Sequence, residues 1–452
     1  MLNVIITETG NFIWTFFFLP ALLICSLMLT VGCRGLQFRR FGYAMRNTIG
    51  KAFSKNVESK DGLSPFQAAS TALGSTVGTG NIVGTAQAIT MGGPGALFWL
   101  IVAALISMIV KYAEIVLAIH FRKTIPGNGP MDYIHYGLRS KKLAACYAFL
   151  ALLSSLTMGN ITQVSSITDA FLAAASTVFT GPAFSGRTPR LAIGFFISGI
   201  TVLVLSGGAK RIGSCAQTLV PFMVILFIAV SVLVIILNIN KLPGVLYLVF
   251  AEAFKPGSIC GGVAGLSTAQ CIQWGLRRSA FSNEAGLGTS AIAHASAHAE
   301  SPALQGLWGI FEVFADTVVI CSCTSLCILC SGISIPWGKL SGSELFTQAI
   351  GTVLGSSFAS ILLAVFIGLF AYTSIMGWAF YGTRCIEFIC GKNSGKYYYV
   401  LFCALIVAGS IIPTELVWRI SDFVNALMSV PNLLCVFLLS PLVWSISRDS
   451  FS

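Results

Sequence analysis

Runs of about 20 mostly apolar residues recur from Asn11 to Trp444, and this repetition constrains the chain more than any other feature. A helix of that length crosses a hydrocarbon core of about 30 Å. Inside lipid each backbone N–H and C=O must find its partner within the protein, which helices achieve by themselves. Charged residues make up 10% of the 452 positions and apolar ones 56%, so lipid is the main solvent and no stretch is left for a soluble domain. The expected architecture is an all-α integral membrane protein of about 11 transmembrane helices, near 11–33, 64–91, 94–121, 143–178, 190–206, 212–238, 276–299, 304–333, 345–390, 397–413 and 421–446.

The remaining charges report on orientation. The net charge is +11, but the basic residues sit between apolar runs and form no face interleaved with aromatics, which argues against nucleic acid as a partner. Arg34, Arg39, Arg40, Arg46, Lys51, Lys55 and Lys60 follow the first run, and Arg122, Lys123, Arg139, Lys141 and Lys142 follow the third. With the 34–60 cluster inside, the inner loops hold 18 Lys and Arg against 8 outside, and Lys111 lies within a span. The N-terminus is then expected outside and the C-terminus in the cytoplasm. The first run is too long for a signal-peptide core and precedes its basic cluster, so it is read as a true span.

Two spans depart from the rest. The second, FQAASTALGSTVGTGNIVGTAQAI, and the seventh, FSNEAGLGTSAIAHASAHA, are too polar and glycine-rich for ordinary lipid-facing helices. Taken alone, Gly74/Gly78 and Gly80/Gly84 also fit close helix packing. Position favours a second reading. With the N-terminal span set aside, ten spans remain, and the two odd ones are the first and sixth, in matching places of two five-helix halves. An odd number of spans per half forces opposite orientations, the inverted-repeat plan of many secondary transporters. The chain divides accordingly into 1–60 (N-terminal helix and basic loop), 61–240 (first repeat), 241–275 (extracytoplasmic loop) and 276–452 (second repeat).

A zwitterion at the bilayer midplane needs donors for its carboxylate and acceptors for its ammonium, and an intact helix has neither to spare. An unwound one has both. The first break is expected at Val77–Asn81, with the amides of Thr79 and Gly80 toward a carboxylate, and the Asn81 side-chain oxygen with backbone oxygens of Thr76 or Val77 toward sodium. The second is expected near Phe281–Gly286, where Glu284 is either a functional acid in the membrane or a loop residue paired with Arg277 or Arg278. In the ninth span Ser374 and Trp378 share a helix face, and Thr373 adds a second hydroxyl. Gly159, Asn160 and Gln163 form a polar cluster in the fourth span that either faces the pocket or holds helices together.

On these residues the chain resembles the alanine or glycine:cation symporter family. The likeness runs through TALGSTVGTGNIVGTAQAITMGGPGALFW, GNITQ, SNEAGLGTSAIAHA and FAYTSIMGWAFYG, and spans nearly the whole chain. It implies a five-plus-five inverted repeat with an added N-terminal helix and broken first and sixth core helices, in the inner (cell) membrane of a bacterium. It also implies sodium-coupled transport of alanine or glycine, sometimes of the D-enantiomer, with sodium as co-transported ion and no cofactor. The TVGTGN segment is similar to the unwound first helix of the neurotransmitter-transporter-like fold. That similarity implies one sodium site from the Gly74 and Val77 carbonyls with Thr373 and Ser374, a carboxylate at Thr79 and Gly80, and a substrate surrounded by Phe281, Ser282, Gln163, Ser374 and Trp378. The family's usual glycine after the arginine before SNEAGLG is replaced here by Arg278-Ser279, and its GVA after GNI by Gly84-Thr85-Ala86.

Other polar residues have narrower readings. Lys111 and Glu114, three apart, are expected to pair on one helix face. His294 and His298 near Glu300 only faintly suggest a metal site, and Cys321, Cys323, Cys327 and Cys330 lie in an apolar run with no neighbouring histidine, so no transition metal is expected. Glu312 and Asp316 are unpaired in sequence and fit a proton, gating or cavity role equally. A channel would be expected to use rings of carbonyls or charges around an oligomer axis. An enzyme would need a convergent nucleophile and base, and none can be named. A carrier of the same fold driven by protons, or moving another small solute, stays open.

Overall fold

The computed structural model describes residues 9–10, 12–52, 62–178, 186–254, 268–299, 301–340, 342–412 and 414–451. The elements that position the site are α1 (Ile13–Gly32), the half-helices α2 (Pro65–Thr76) and α3 (Val83–Gly92), α4 (Ala96–Phe121), α5 (Lys141–Val178), α6 (Arg187–Leu205) and α7 (Gly208–Leu237). After α8 (Leu242–Phe254) come the half-helices α9 (Thr268–Asn283) and α10 (Thr289–His294), then α11 (Pro302–Ser331), α12 (Glu344–Leu354), α13 (Ser356–Cys390), α14 (Gly395–Gly409), α15 (Thr414–Leu438) and α16 (Ser440–Phe451).

Among the described residues eight helices are long and apolar enough to cross a membrane. The second and seventh expected spans are instead pairs of half-helices, each too short to cross alone. The expected 345–390 span is divided at Gly355, whose φ of 82° ends α12 before α13 begins. The expected loop 241–275 contains the helix α8.

Local chemistry accounts for the first half-helix. Ser64 and Gln67 close a reciprocal capping box, with Ser64 Oγ accepting from the Gln67 amide at 3.1 Å and Gln67 Oε1 from the Ser64 amide at 3.0 Å. Pro65 follows at the first helical position. At the other end Val77 turns to ψ 90° and Gly78 is extended, before a 3-10 turn at Thr79–Asn81 leads into α3.

Matching members of the two repeats pack against each other: α4 on α11, α5 on α13 and α6 on α14. The half-helices join the first of these groups, α9 lying against α3 and α4, while α2 contacts α7 and α13. Buried side chains fill the seams between them. The outward faces are apolar too, as Phe195 and Phe196 of α6 and Tyr397 and Val400 of α14 show. That is the pattern of a bundle solvated by lipid, with no hydrophobic contrast between core and surface.

Candidate functional site

The site lies where the two helix breaks meet α5, α11 and α13. Ser374 Oγ is 3.2 Å from the Gly74 carbonyl oxygen and 3.1 Å from that of Ser75, so three hard oxygens converge at the end of α2. Thr373 sits beside Gly74, its hydroxyl bonded to the Leu369 and Phe370 carbonyls of its own helix. The Thr76 hydroxyl likewise turns back onto α2, at Ala72 and Leu73. Gly78 is hemmed in by Ser374 and Gln163: a Cβ there would lie 2.8 Å from Ser374 Oγ.

Asn81 is oriented differently from the expectation. Its side-chain oxygen, expected toward a cation, accepts from the Gly78 amide at 3.0 Å. Its Nδ2 donates to Asp316 Oδ1 at 2.7 Å and to Ser282 Oγ at 3.0 Å. Ser282 in turn donates to Asp316 Oδ2 at 2.7 Å, and so does Thr317 Oγ1 at 2.7 Å. Asp316 is fully buried, and these three close partners are neutral donors. Ser282 therefore joins the first break to α11 through this carboxylate.

On the other side, Thr79 Oγ1 donates to Gln163 Oε1 at 3.3 Å, and Gln163 Nε2 donates to the Met158 carbonyl at 3.1 Å. That carbonyl lies in a π-helical stretch, Thr157–Ile161, where wide winding loosens the regular i→i−4 ladder. Gly159 is the floor for Trp378: a Cβ there would fall 2.2 Å from the Trp378 Cγ, so the indole rests directly on backbone. Trp378 is wholly buried, and its Nε1 has no hydrogen-bond partner among the described residues. Phe281 packs against Gly80 on one side and Trp418 on the other, with ring centroids 5.5 Å apart. Asn160 points away, donating to the Phe402 carbonyl of α14 at 2.8 Å, and so ties helices together.

A cavity of about 620 Å³ leads toward this site, lined by Ser166, Asp169, Glu344, Ile367 and Trp418. Trp418 and Val83 of α3 line it, and Trp418 stacks on Phe281, which touches Gly80 in turn. Beside them Arg277 of α9 pairs with Asp422 of α15 at 3.1 Å and stacks over Trp14 of α1, its guanidinium carbon 5.6 Å from the ring centre.

The second break opens after Asn283, slightly later than expected, and runs through Glu284, Gly286 and Gly288, all at positive φ. Glu284 is buried and accepts from Thr289 Oγ1, so it is no external-loop partner of Arg277 or Arg278. The expected Lys111–Glu114 pair is replaced by two separate connections. Lys111 reaches across to Glu312 at 3.3 Å and donates to the Asn283 carbonyl at 2.8 Å. Glu114 Oε1 accepts the Gly286 and Gly288 amides at 3.0 and 3.1 Å, and Asn432 Nδ2 at 2.6 Å. A carboxylate thus satisfies donors that the break exposes in a dry interior. His294 is held between Glu312, at 2.6 Å, and Gln305, at 2.7 Å, while the His298 amide pairs with the Leu63 carbonyl. Glu300 lies outside the described residues.

Two features escaped sequence reasoning. Asp316 was visible as an acid in an apolar run, but which residues it meets depends on α11 crossing the first break. The π stretches at Thr157–Ile161 and Phe314–Cys321 leave no compositional trace.

Paired broken helices at the centre of a two-fold repeated bundle define a secondary transporter. Solved structures agree on the fold. MhsT in complex with L-phenylalanine aligns with a TM-score of 0.61 at 13% identity, covering 87% of this chain and all of that one. A manganese transporter of Eremococcus coleocola aligns at 0.50 and 14%, covering 88% and 80%. The chain belongs to the sodium:alanine symporter family, whose profile matches residues 1–451. Relatives include the sodium/alanine symporter AgcS of Methanococcus maripaludis, 33% identical over 98% of this chain and 95% of that protein. The probable sodium/glutamine symporter GlnT of Bacillus subtilis is 35% identical over 99% and 91%. The chain is a multi-pass membrane transporter and not an enzyme.

Proposed function

We propose that this protein couples sodium entry to uptake of alanine or glycine by alternating access, with its N-terminus outside and its C-terminus in the cytoplasm of a bacterial inner membrane. One observation carries the reading: Ser374 Oγ converges on the Gly74 and Ser75 carbonyl oxygens at the end of a broken helix. Those are hard oxygen donors at the negative end of a half-helix, the setting a small hard cation seeks. The Gly74 and Val77 carbonyls with Thr373 and Ser374 are our sodium site, and the amides of Thr79 and Gly80 our carboxylate site.

The size of the substrate follows from Trp378, Phe281 and Gln163. The Trp378 side chain abuts Gly159 and the Phe281 ring abuts Gly80, so large rings crowd the space beside the amides. Small side chains fit that space. The unpartnered Trp378 N–H is a donor awaiting an acceptor on the substrate. Asp316, held by neutral donors only, supplies the negative charge that an ammonium or a cation entering beside Asn81 would meet.

The same buried carboxyl favours a second reading, coupling to protons. Uptake of labelled alanine and glycine into proteoliposomes separates the two. Sodium symport requires accumulation above equilibrium under an inward sodium gradient and none with equal sodium. Accumulation under a proton gradient without sodium would replace the ion assignment, and no uptake of either amino acid would remove the substrate.

A further inference from the structure

Where α1 ends, four arginines gather around a cavity that the transport cycle does not use. The cavity is about 360 Å³ and is lined by Arg34, Arg39, Arg40, Arg448, Ser447 and Asp449 among others. The guanidiniums of Arg39, Arg40 and Arg448 donate to the carbonyls of Arg34, Phe451 and Gly32 respectively, bonds that fix their place and leave their charge uncompensated. Among the described residues none of the four arginines is in an ion pair, and the one carboxylate of the lining, Asp449, accepts from Ser445. Four like charges around one hollow repel each other unless an anion sits among them. Guanidinium forks suit a phosphate oxygen geometry in particular.

Depth tells which phosphate. Leu27 and Val31 of α1, just before the first lining residue Cys33, are 57% and 78% exposed, while Phe38, between the lining residues Leu36 and Arg39, and Tyr43, just beyond Arg40, are 53% and 40% exposed. Apolar side chains of this size standing open on both sides of a basic hollow place it at the boundary between hydrocarbon and headgroups. A free phosphate has no use for them, whereas a phospholipid has acyl chains to lay along α1. We propose that this cavity binds the phosphodiester headgroup of an anionic phospholipid, with its acyl chains against Leu27 and Val31, and so clamps α1 to the C-terminal helix α16.

Native mass spectrometry of the full chain, released from micelles doped with dioleoylphosphatidylglycerol or dioleoylphosphatidylcholine, tests this. The expected result is one retained phosphatidylglycerol and no comparable retention of phosphatidylcholine. The R34Q/R39Q variant is expected to hold phosphatidylglycerol about tenfold or more weakly. K141Q/K142Q, which removes the same charge from the exposed start of α5, should bind as the parent does, and R34K/R39K should fall between. Parent-like retention in R34Q/R39Q, equal retention of the two lipids, or displacement of phosphatidylglycerol by an equal concentration of inorganic phosphate would each overturn the proposal.

Discussion

At the residue scale the site turns on a few side chains whose partners are now known. Ser374→Ala removes one of three converging oxygens while leaving the helix intact. The sodium concentration for half-maximal uptake should rise about tenfold, with alanine affinity falling in step; unchanged sodium activation would take Ser374 out of the ion site. Trp378→Ala should admit serine and valine, which a competition assay against labelled alanine would show. Gly159→Ala is the converse, since its methyl would be driven into the Trp378 ring. It should abolish uptake, while Gly159→Ala/Trp378→Gly, which clears both the Cβ and the ring from the new methyl, restores part of it. Restoration by the second change is what distinguishes a pocket wall from a general folding defect.

At the element scale, the breaks persist because other helices satisfy the groups they expose. Glu114 of α4 accepts two amides from the second break, and Lys111, one turn earlier on the same helix, binds the carbonyl on its near side. Lys111→Met would leave Glu312 buried without its cation, at a cost of about 3–5 kcal/mol. A marked fall in the melting temperature of the detergent-solubilised protein is the expected sign, and Lys111→Met/Glu312→Gln should recover much of it. The Arg277–Asp422 pair joins α9 to α15 beside the Phe281–Trp418 stack, which links the cavity to Gly80. If it holds that face closed, Arg277→Ala and Asp422→Ala should raise access of a thiol reagent to a cysteine placed at Gly80, and the double variant should do no more than either single one.

At the scale of the whole molecule, the proposed function puts ion and substrate in one site between two cross-packed repeats, and so on the same conformational equilibrium. The factor by which saturating sodium tightens alanine binding should equal that by which saturating alanine tightens sodium binding, a reciprocity calorimetry can check directly. Unequal factors would mean that the two ligands were not binding to one linked state.

Much of this was legible in the chain. Lipid as solvent, helices as the only available element, and the kinship of the second and seventh spans all follow from local composition, because hydrocarbon imposes its demand on each segment separately. The positions of the breaks follow nearly as well, since Gly78 and the run from Glu284 to Gly288 are local statements about backbone freedom. Partnership is not local. Sequence spacing pairs Lys111 with Glu114, yet the fold sends one to Glu312 and the other to the amides of Gly286 and Gly288. Asn81 was aimed at a cation by its chemistry and is turned toward Asp316 by where α11 crosses α3. What the sequence by itself determined is the solvent, the elements and where they break. What tertiary structure alone decided is which buried charge answers which exposed backbone group, because in a dry interior a polar side chain takes the partner that packing brings within hydrogen-bond reach.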